Sequence, residues 1–250
     1  MAYIDMTRKD GVAVLTLNRG KVNAFNDPVV KELRTLLEGL ARDDSVGALV
    51  LTGHGRFFSF GLDVPELYLL PREEFAAFLR AFTGLYTYIY TYPKAVMAAV
   101  NGHAIAGGCM VAIACDMRLM ADGGGKIAIN EITFGSTVFS GSTEILRACI
   151  GHRNAETVMM SGAMFDPAQA LAIGLVDRVV PEEDLLPVAI EEAATMASRD
   201  PAAFQSMRTL LRGRIAESIL SHEDDSIREF VDIWYSPSTR EQLKKIVIRD

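Results

Sequence analysis

The sequence predicts an α/β chain with a helical C-terminal third. Strand and helix patterns alternate over the first two thirds. An apolar run at Ala95–Val100 passes through a glycine-rich turn into a second apolar run at Gly107–Cys115. From Thr143 onward the periodicity is mostly helical, with one apolar strand at Leu175–Val180. The 250 residues, half of them hydrophobic, suffice to bury a large core.

Taken in order, residues 2–18 read as two strands joined at Asp10–Gly11, with Val12, Val14 and Leu15–Leu17 as the buried set. Asn23–Pro28 is a turn, and Pro28 suits the first turn of a helix over Val29–Arg42. Val30, Leu33, Leu36, Leu37 and Leu40 recur at helical spacing there. Ala48–Leu51 is a short strand, Gly53–Gly61 a loop, and Glu73–Tyr92 a long helix. Ala95–Val100 is a strand, Asn101–Ala106 a loop and Gly107–Cys115 a helix. Short strands follow at Met117–Ala121 and Lys126–Ile129. The last segments, Glu182–Arg199, Ala202–Arg212, Ala216–Trp234 and Thr239–Ile248, read as separate helices. The expected division is a core over residues 1–195 and a helical region over 196–250.

Charge and cysteine usage narrow the function classes. A formal net charge of −7 argues against nucleic acid or an anionic membrane as the main partner. Residues 95–115 lack charged side chains, but Pro93, Asn101, Gly102, Gly107 and Gly108 favour strand, turn and helix over a membrane span. Cys109, Cys115 and Cys149 form no CxxC pair, so neither a disulfide framework nor a zinc site is expected. The N-terminus has no basic stretch followed by an apolar run, and a cytoplasmic location is the expectation.

Several motifs are absent. Gly53-His-Gly-Arg-Phe-Phe58 begins like a dinucleotide fingerprint but has Phe58 at the third glycine. No P-loop, HExxH or GxSxG sequence occurs. The four histidines, His54, His103, His152 and His222, show no metal spacing, so no metal is expected.

Four other motifs are present in order. They are Leu17-Asn-Arg-Gly-Lys-Val-Asn-Ala-Phe-Asn26, Phe58-Ser-Phe-Gly-Leu-Asp63, Ala99-Val-Asn-Gly-His-Ala-Ile-Ala-Gly-Gly-Cys109 running on to Asp116, and Gly174-Leu-Val-Asp-Arg-Val-Val-Pro181. On these the chain resembles the crotonase (enoyl-CoA hydratase/isomerase) superfamily. The resemblance implies a spiral of ββα units with a C-terminal helical oligomerisation region. It implies a coenzyme A thioester as substrate, with no permanently bound cofactor. It also implies two backbone N–H groups, those of Leu62 and Gly107, that hold an enolate oxygen. Independently of the resemblance, Gly107–Gly108 opens a buried helix, whose first N–H groups lack helical partners and whose dipole is positive there.

The carboxylates separate the reactions. Family hydratases resemble one another in using two glutamates. Here the first position is Met110 and the second is Glu131, in Ile129-Asn-Glu-Ile132. This pattern is similar to that of 3-enoyl-CoA to 2-enoyl-CoA isomerases, in which one base serves both C2 and C4. Apolar surroundings such as Met110 should raise the pKa of Glu131. Hydration or another crotonase-type reaction, with Glu144 as the missing acid, is the alternative, and a non-catalytic acyl-CoA-binding subunit is a second. Against hydration, Glu144 reads as a helix-start residue and Ser136–Ser140 lacks the proline and paired glycines common in hydratases; against a non-catalytic subunit stands Glu131 together with both oxyanion elements. Phe139 stands where dienoyl-CoA isomerases tend to place an aspartate.

The remaining assignments follow the resemblance. Asn23, Ala24, Phe25, Phe60, Gly61, Asp63, Gly108 and Met110 are expected at the substrate and coenzyme A site, with Asn23–Phe25 along the pantetheine path. Phe60 is bulky where the family has a small residue and would narrow that channel, and Phe25 replaces a common leucine. Lys21 or Arg19 is expected near phosphate. Asp63 reads as a helix cap, His103 as an organiser of the glycine turn, and Asp116 and Arg118 as a structural ion pair or strand-end polar groups. Ile227, Phe230, Val231, Ile233, Trp234 and Tyr235 read as more apolar surface than one peripheral helix can hide. This predicts self-association, which the resemblance implies is a homotrimer or a dimer of trimers.

Overall fold

A computed structural model describes residues 2–248. Strands β1 (Ile4–Lys9) and β2 (Val12–Leu17) form an antiparallel hairpin around Asp10–Gly11, both with positive φ, as a two-residue primed turn requires. Helix α1 (Asp27–Ala41) follows, with Asn26 accepting from the Val29 N–H at its N-terminus. Then come β3 (Ala48–Gly53), β4 (Phe57–Ser59), a short α2 (Val64–Leu67) and the long α3 (Arg72–Tyr90). The pattern repeats as β5 (Ala95–Val100), β6 (His103–Ile105) and α4 (Gly107–Ala114). It repeats again as β7 (Met117–Ala121), β8 (Ile127–Ala128), a 3-10 turn at Glu131–Phe134 and α5 (Ser140–Ser161), which kinks at Gly151. Helix α6 (Pro167–Ala172), β9 (Arg178–Val180), α7 (Leu185–Ala197), α8 (Pro201–Trp234) and α9 (Pro237–Leu243) complete the chain.

After the first hairpin, whose two strands both join the larger sheet, each ββα unit gives one strand to each of two sheets. The larger has the order β1-β2-β3-β5-β7-β9, parallel except for the β1–β2 hairpin; the smaller is a parallel β4-β6-β8. Successive units advance one strand at a time, the spiral expected from the resemblance. The larger sheet is covered on both faces. Helix α7 packs on Val12, Val14, Val50 and Met97, while α1, α3 and α4 cover Ala13, Leu15, Leu49 and Val96. Burial on both faces explains why β3 and β5 read as continuous apolar runs. The loops expected at Gly53–Gly61 and Asn101–Ala106 each contain a strand of the smaller sheet. These pairings are too short and too non-local for an alternating pattern to betray.

Two further expectations are corrected. Ala202–Arg212 and Ala216–Trp234 are one helix, α8, that runs through Gly213. The ~1 kcal/mol that glycine costs in a helix is outweighed by anchors just before it. Arg208 donates to the Tyr92 carbonyl and pairs with Asp116; Arg212 donates to the Tyr90 carbonyl at 2.7 Å and pairs with Asp116 at 2.9 Å. Asp116 therefore does not pair with Arg118, which pairs with Asp177 at 2.7 Å.

The aromatic end of α8 is also placed differently. Ile227, Phe230, Val231 and Trp234 are buried against this chain's own core, and Phe75 stacks on Trp234 at 4.6 Å between centroids. The exposed apolar residues of α8 are Met207, Leu210, Leu211 and Leu220. No helix among the described residues is long and apolar enough to cross a membrane.

Candidate active site

The first motif is a scaffold. Asn23 sits at φ +50 and is fully buried; its side-chain amide donates to the carbonyls of His54 and Phe57 while its oxygen accepts from the Arg19 N–H. That ties the turn to the β3–β4 segment. Phe25 then forms a parallel bridge to Leu62: Phe25 N donates to Gly61 O at 2.7 Å and Asp63 N to Phe25 O at 2.9 Å. In such a bridge the flanking residues make both bonds, so the Leu62 N–H points away from Phe25 and has no ladder partner. Asp63 accepts from Glu66 N at 3.1 Å and so caps α2, as expected from the sequence.

The second N–H comes from the start of α4. Ala106 holds φ +52, ψ −119, a sparsely populated conformation for a residue with a side chain. Its N–H donates to Ala128 O and its carbonyl accepts from Met110 N. Gly107 follows as the first helical residue, with an N–H that no intrahelical carbonyl can reach. The two donor segments touch: a Cβ on Gly61 would lie 2.8 Å from Gly107 N, and one on Gly108 would collide with the Ser59 carbonyl. Any larger side chain at either position would spread the two N–H groups apart.

These segments open on a cavity of about 190 Å³. Leu62, Gly107, Met110, Phe60 and Glu131 belong to its wall, with Asn130, Phe82, Phe134, Phe139, Phe230, Trp234 and Ile246. Glu131 heads the 3-10 turn after β8 and is 5% exposed. Burial pushes its carboxyl up to about 8, against the opposing pull of the backbone N–H groups of Glu131 and Asn130. No cation pairs with it among the described residues, and its Oε2 has no hydrogen-bond partner. The result is a carboxyl held on one side, free on the other, and basic enough to exchange a proton near neutral pH.

The cavity borders a groove through Phe60. Asn18, Lys21, Val22, His54, Arg56, Phe57 and Val247 contribute to the groove wall. Lys21 and Arg56 bring positive charge there, as a phosphorylated cofactor requires. Arg19 is held by Asp63 at 2.6 Å and Glu66 at 2.9 Å, so of the two residues expected near phosphate it is Lys21 that lies on the groove wall. Asn23, Ala24, Phe25, Gly61, Asp63 and Gly108 lie beneath the walls of cavity and groove rather than on them.

Glu144, the candidate second acid, bonds Arg147 at 3.0 Å and is not on the cavity wall. His103 accepts from Lys126 N and stacks on Phe57 at 4.9 Å, an organising contact. No group of three or more His, Cys, Asp or Glu side chains among the described residues is arranged to hold a metal.

The sequence reading missed the far wall. Phe230 and Trp234 are spaced i, i+4 on α8, which puts both on one helix face, and Phe139 stacks on Phe230 at 4.5 Å. The i, i+4 aromatic pair was the available signal.

Comparison with known proteins identifies the class. The Enoyl-CoA hydratase/isomerase family model matches residues 7–240. The chain is 32% identical over 241 residues to human mitochondrial enoyl-CoA delta isomerase 1, covering 96% of this chain and 80% of that protein. It is 33% identical over 214 residues to the 2,3-dehydroadipyl-CoA hydratase of Escherichia coli K12, covering 85% and 82%. The crystal structure of human mitochondrial delta3-delta2-enoyl-CoA isomerase superposes with a TM-score of 0.93 at 30% identity, covering 97% of this chain and 96% of that one. The chain belongs to the enoyl-CoA hydratase/isomerase family and has the crotonase fold.

Proposed function

We propose that this enzyme shifts the double bond of a 3-enoyl-CoA to give the 2-enoyl-CoA, with Glu131 carrying the proton. The observation that carries the reading is a cavity whose wall holds, among the described residues, one carboxylate, Glu131, with Met110 and no second acid. The thioester carbonyl accepts hydrogen bonds from the N–H groups of Leu62 and Gly107. Glu131 removes a proton from C2, and the electron pair delocalises onto the thioester oxygen as a dienolate. The same carboxyl then delivers its proton to C4, and the double bond settles between C2 and C3. Donors of this kind typically contribute ~3–4 kcal/mol each to the transition state. Hydration would need a second group to activate water at C3, and Met110 cannot serve.

The substrate is an acyl-CoA whose phosphates lie in the groove by Lys21 and Arg56; no permanently bound cofactor takes part. Residues 196–250 serve as the assembly region of a homotrimer or dimer of trimers. Met207, Leu210, Leu211 and Leu220, exposed on α8, support this in place of the buried residues first singled out. The three free cysteines suit a reducing compartment such as the cytoplasm.

Product analysis with matched 3-enoyl-CoA and 2-enoyl-CoA tests the reaction. The 3-enoyl substrate is converted and the 2-enoyl substrate is hydrated poorly. Faster hydration than isomerisation would overturn the single-carboxylate reading. Sizing at micromolar concentration tests assembly, and a monodisperse monomer would refute it.

A further inference from the structure

The far wall of the cavity is aromatic and locked. Phe139 and Phe230 stack at 4.5 Å with 14° between their planes; Phe230 meets Trp234 at 5.9 Å, and Trp234 lies on Phe75 at 4.6 Å. All four rings are at most 2% exposed. Rings stacked on one another in this way resist being pushed outward, away from the cavity they line. The cavity before them is small. At about 190 Å³ it is modestly larger than the roughly 150 Å³ apolar cavity that admits one benzene molecule. The reacting carbons, held beside Leu62, Gly107 and Glu131, must fit in the same space.

We infer that the enzyme selects short acyl groups, roughly six to eight carbons counted from the thioester, and that the Phe139–Phe230–Trp234 stack sets the limit. This rests on the isomerase reading for which end of the acyl group is buried. A longer chain must displace a ring or leave its tail uncovered. Each methylene that the wall refuses loses about tenfold or more in kcat/KM.

The test is a chain-length series on the full-length protein. Isomerisation of hexenoyl-, octenoyl-, decenoyl-, dodecenoyl- and tetradecenoyl-CoA is followed together with calorimetric affinity for the saturated acyl-CoAs of the same lengths. Both profiles peak at six or eight carbons, and kcat/KM falls by about tenfold or more for each methylene added beyond eight until the tail leaves the cavity uncovered. Phe230→Ala moves both optima to longer chains, and the gentler Phe230→Leu moves them the same way by less. A flat wild-type affinity profile, an optimum at twelve carbons or longer, or a folded Phe230 variant that weakens every length equally would overturn the inference. The affinity arm separates the two proposals: short-chain preference in binding without isomerisation sinks the reaction assignment and keeps the length limit.

Discussion

Asp116 and Glu131 are both carboxylates withdrawn from water, and their surroundings are opposite. Asp116, with its side chain 10% exposed, is answered from three sides: by Arg208, by Arg212 and by the Val96 N–H at 2.7 Å. Glu131 is answered only by neighbouring backbone N–H groups, keeps Oε2 without a partner and is pushed up to about 8 by burial. A carboxylate supplied with cations holds α8 against β5. One denied cations holds nothing together and keeps its proton exchangeable. Within one core, the partners rather than the residue type or its depth divide structural from chemical carboxylates.

The comparison breaks first at Glu131. Glu131→Gln keeps the shape and cannot carry a proton, so isomerase kcat should fall by ~10²–10⁴-fold, read on 3-enoyl-CoA. Stability should move the other way. The folded carboxyl titrates near 8 and an exposed one near 4.5. The neutral buried form therefore contributes stability below about 4.5 that is lost as pH rises through about 8. Glutamine stays neutral, so the variant should gain on the wild type between those values and hold a constant advantage above them. A melting series in which wild type and variant track each other at every pH would show that Glu131 is not desolvated.

Asp116→Ala should do the reverse. It leaves Arg208, 5% exposed at the side chain, with an uncompensated buried charge, a defect of ~3–5 kcal/mol in a denaturant titration. Its kcat, measured where the variant is folded, should stay near the wild-type value because Asp116 is not on the cavity wall. Equal losses of activity and stability would erase the distinction between the two carboxylates. The pH profile sharpens it: kcat/KM for isomerisation should rise with pH along one acidic limb centred near 8. A limb near the ordinary carboxylate value would mean that water reaches Oε2.

Much of this was legible in the sequence, and the failures share a cause. The strands that make up the larger sheet and the helix after the glycine turn follow from local pattern, and the position of Glu131 from motif order. Two strands of the smaller sheet were not legible, because Phe57–Ser59 and His103–Ile105 are too short for a period to show, whereas the third, Ile127–Ala128, lies within the strand expected at 126–129. The partner of Asp116 was not legible either. Arg118 is near in sequence, but Arg208 and Arg212 reach Asp116 only once α8 has docked. The aromatic residues of α8 gave the right signal, an apolar face in need of cover, and the wrong cover: the cavity wall of their own chain rather than a second copy.

The smallest effect is expected at Ala106, where the site rather than the anchor carries backbone strain. Its φ of +52 with ψ of −119 suits glycine, and a side chain held in such a region costs ~1–3 kcal/mol. Glycine would relieve that but lose more freedom on folding, by ~0.5–1 kcal/mol. Ala106→Gly should therefore stabilise the protein by roughly 0–2.5 kcal/mol. The bonds that fix this turn, Ala106 N to Ala128 O and Met110 N to Ala106 O, are both main-chain, and glycine keeps them. The Gly107 N–H should keep its aim, and isomerase kcat should change little. A clear loss of kcat without loss of stability would mean that the Ala106 methyl itself, which lies on the cavity wall, helps to seat the thioester.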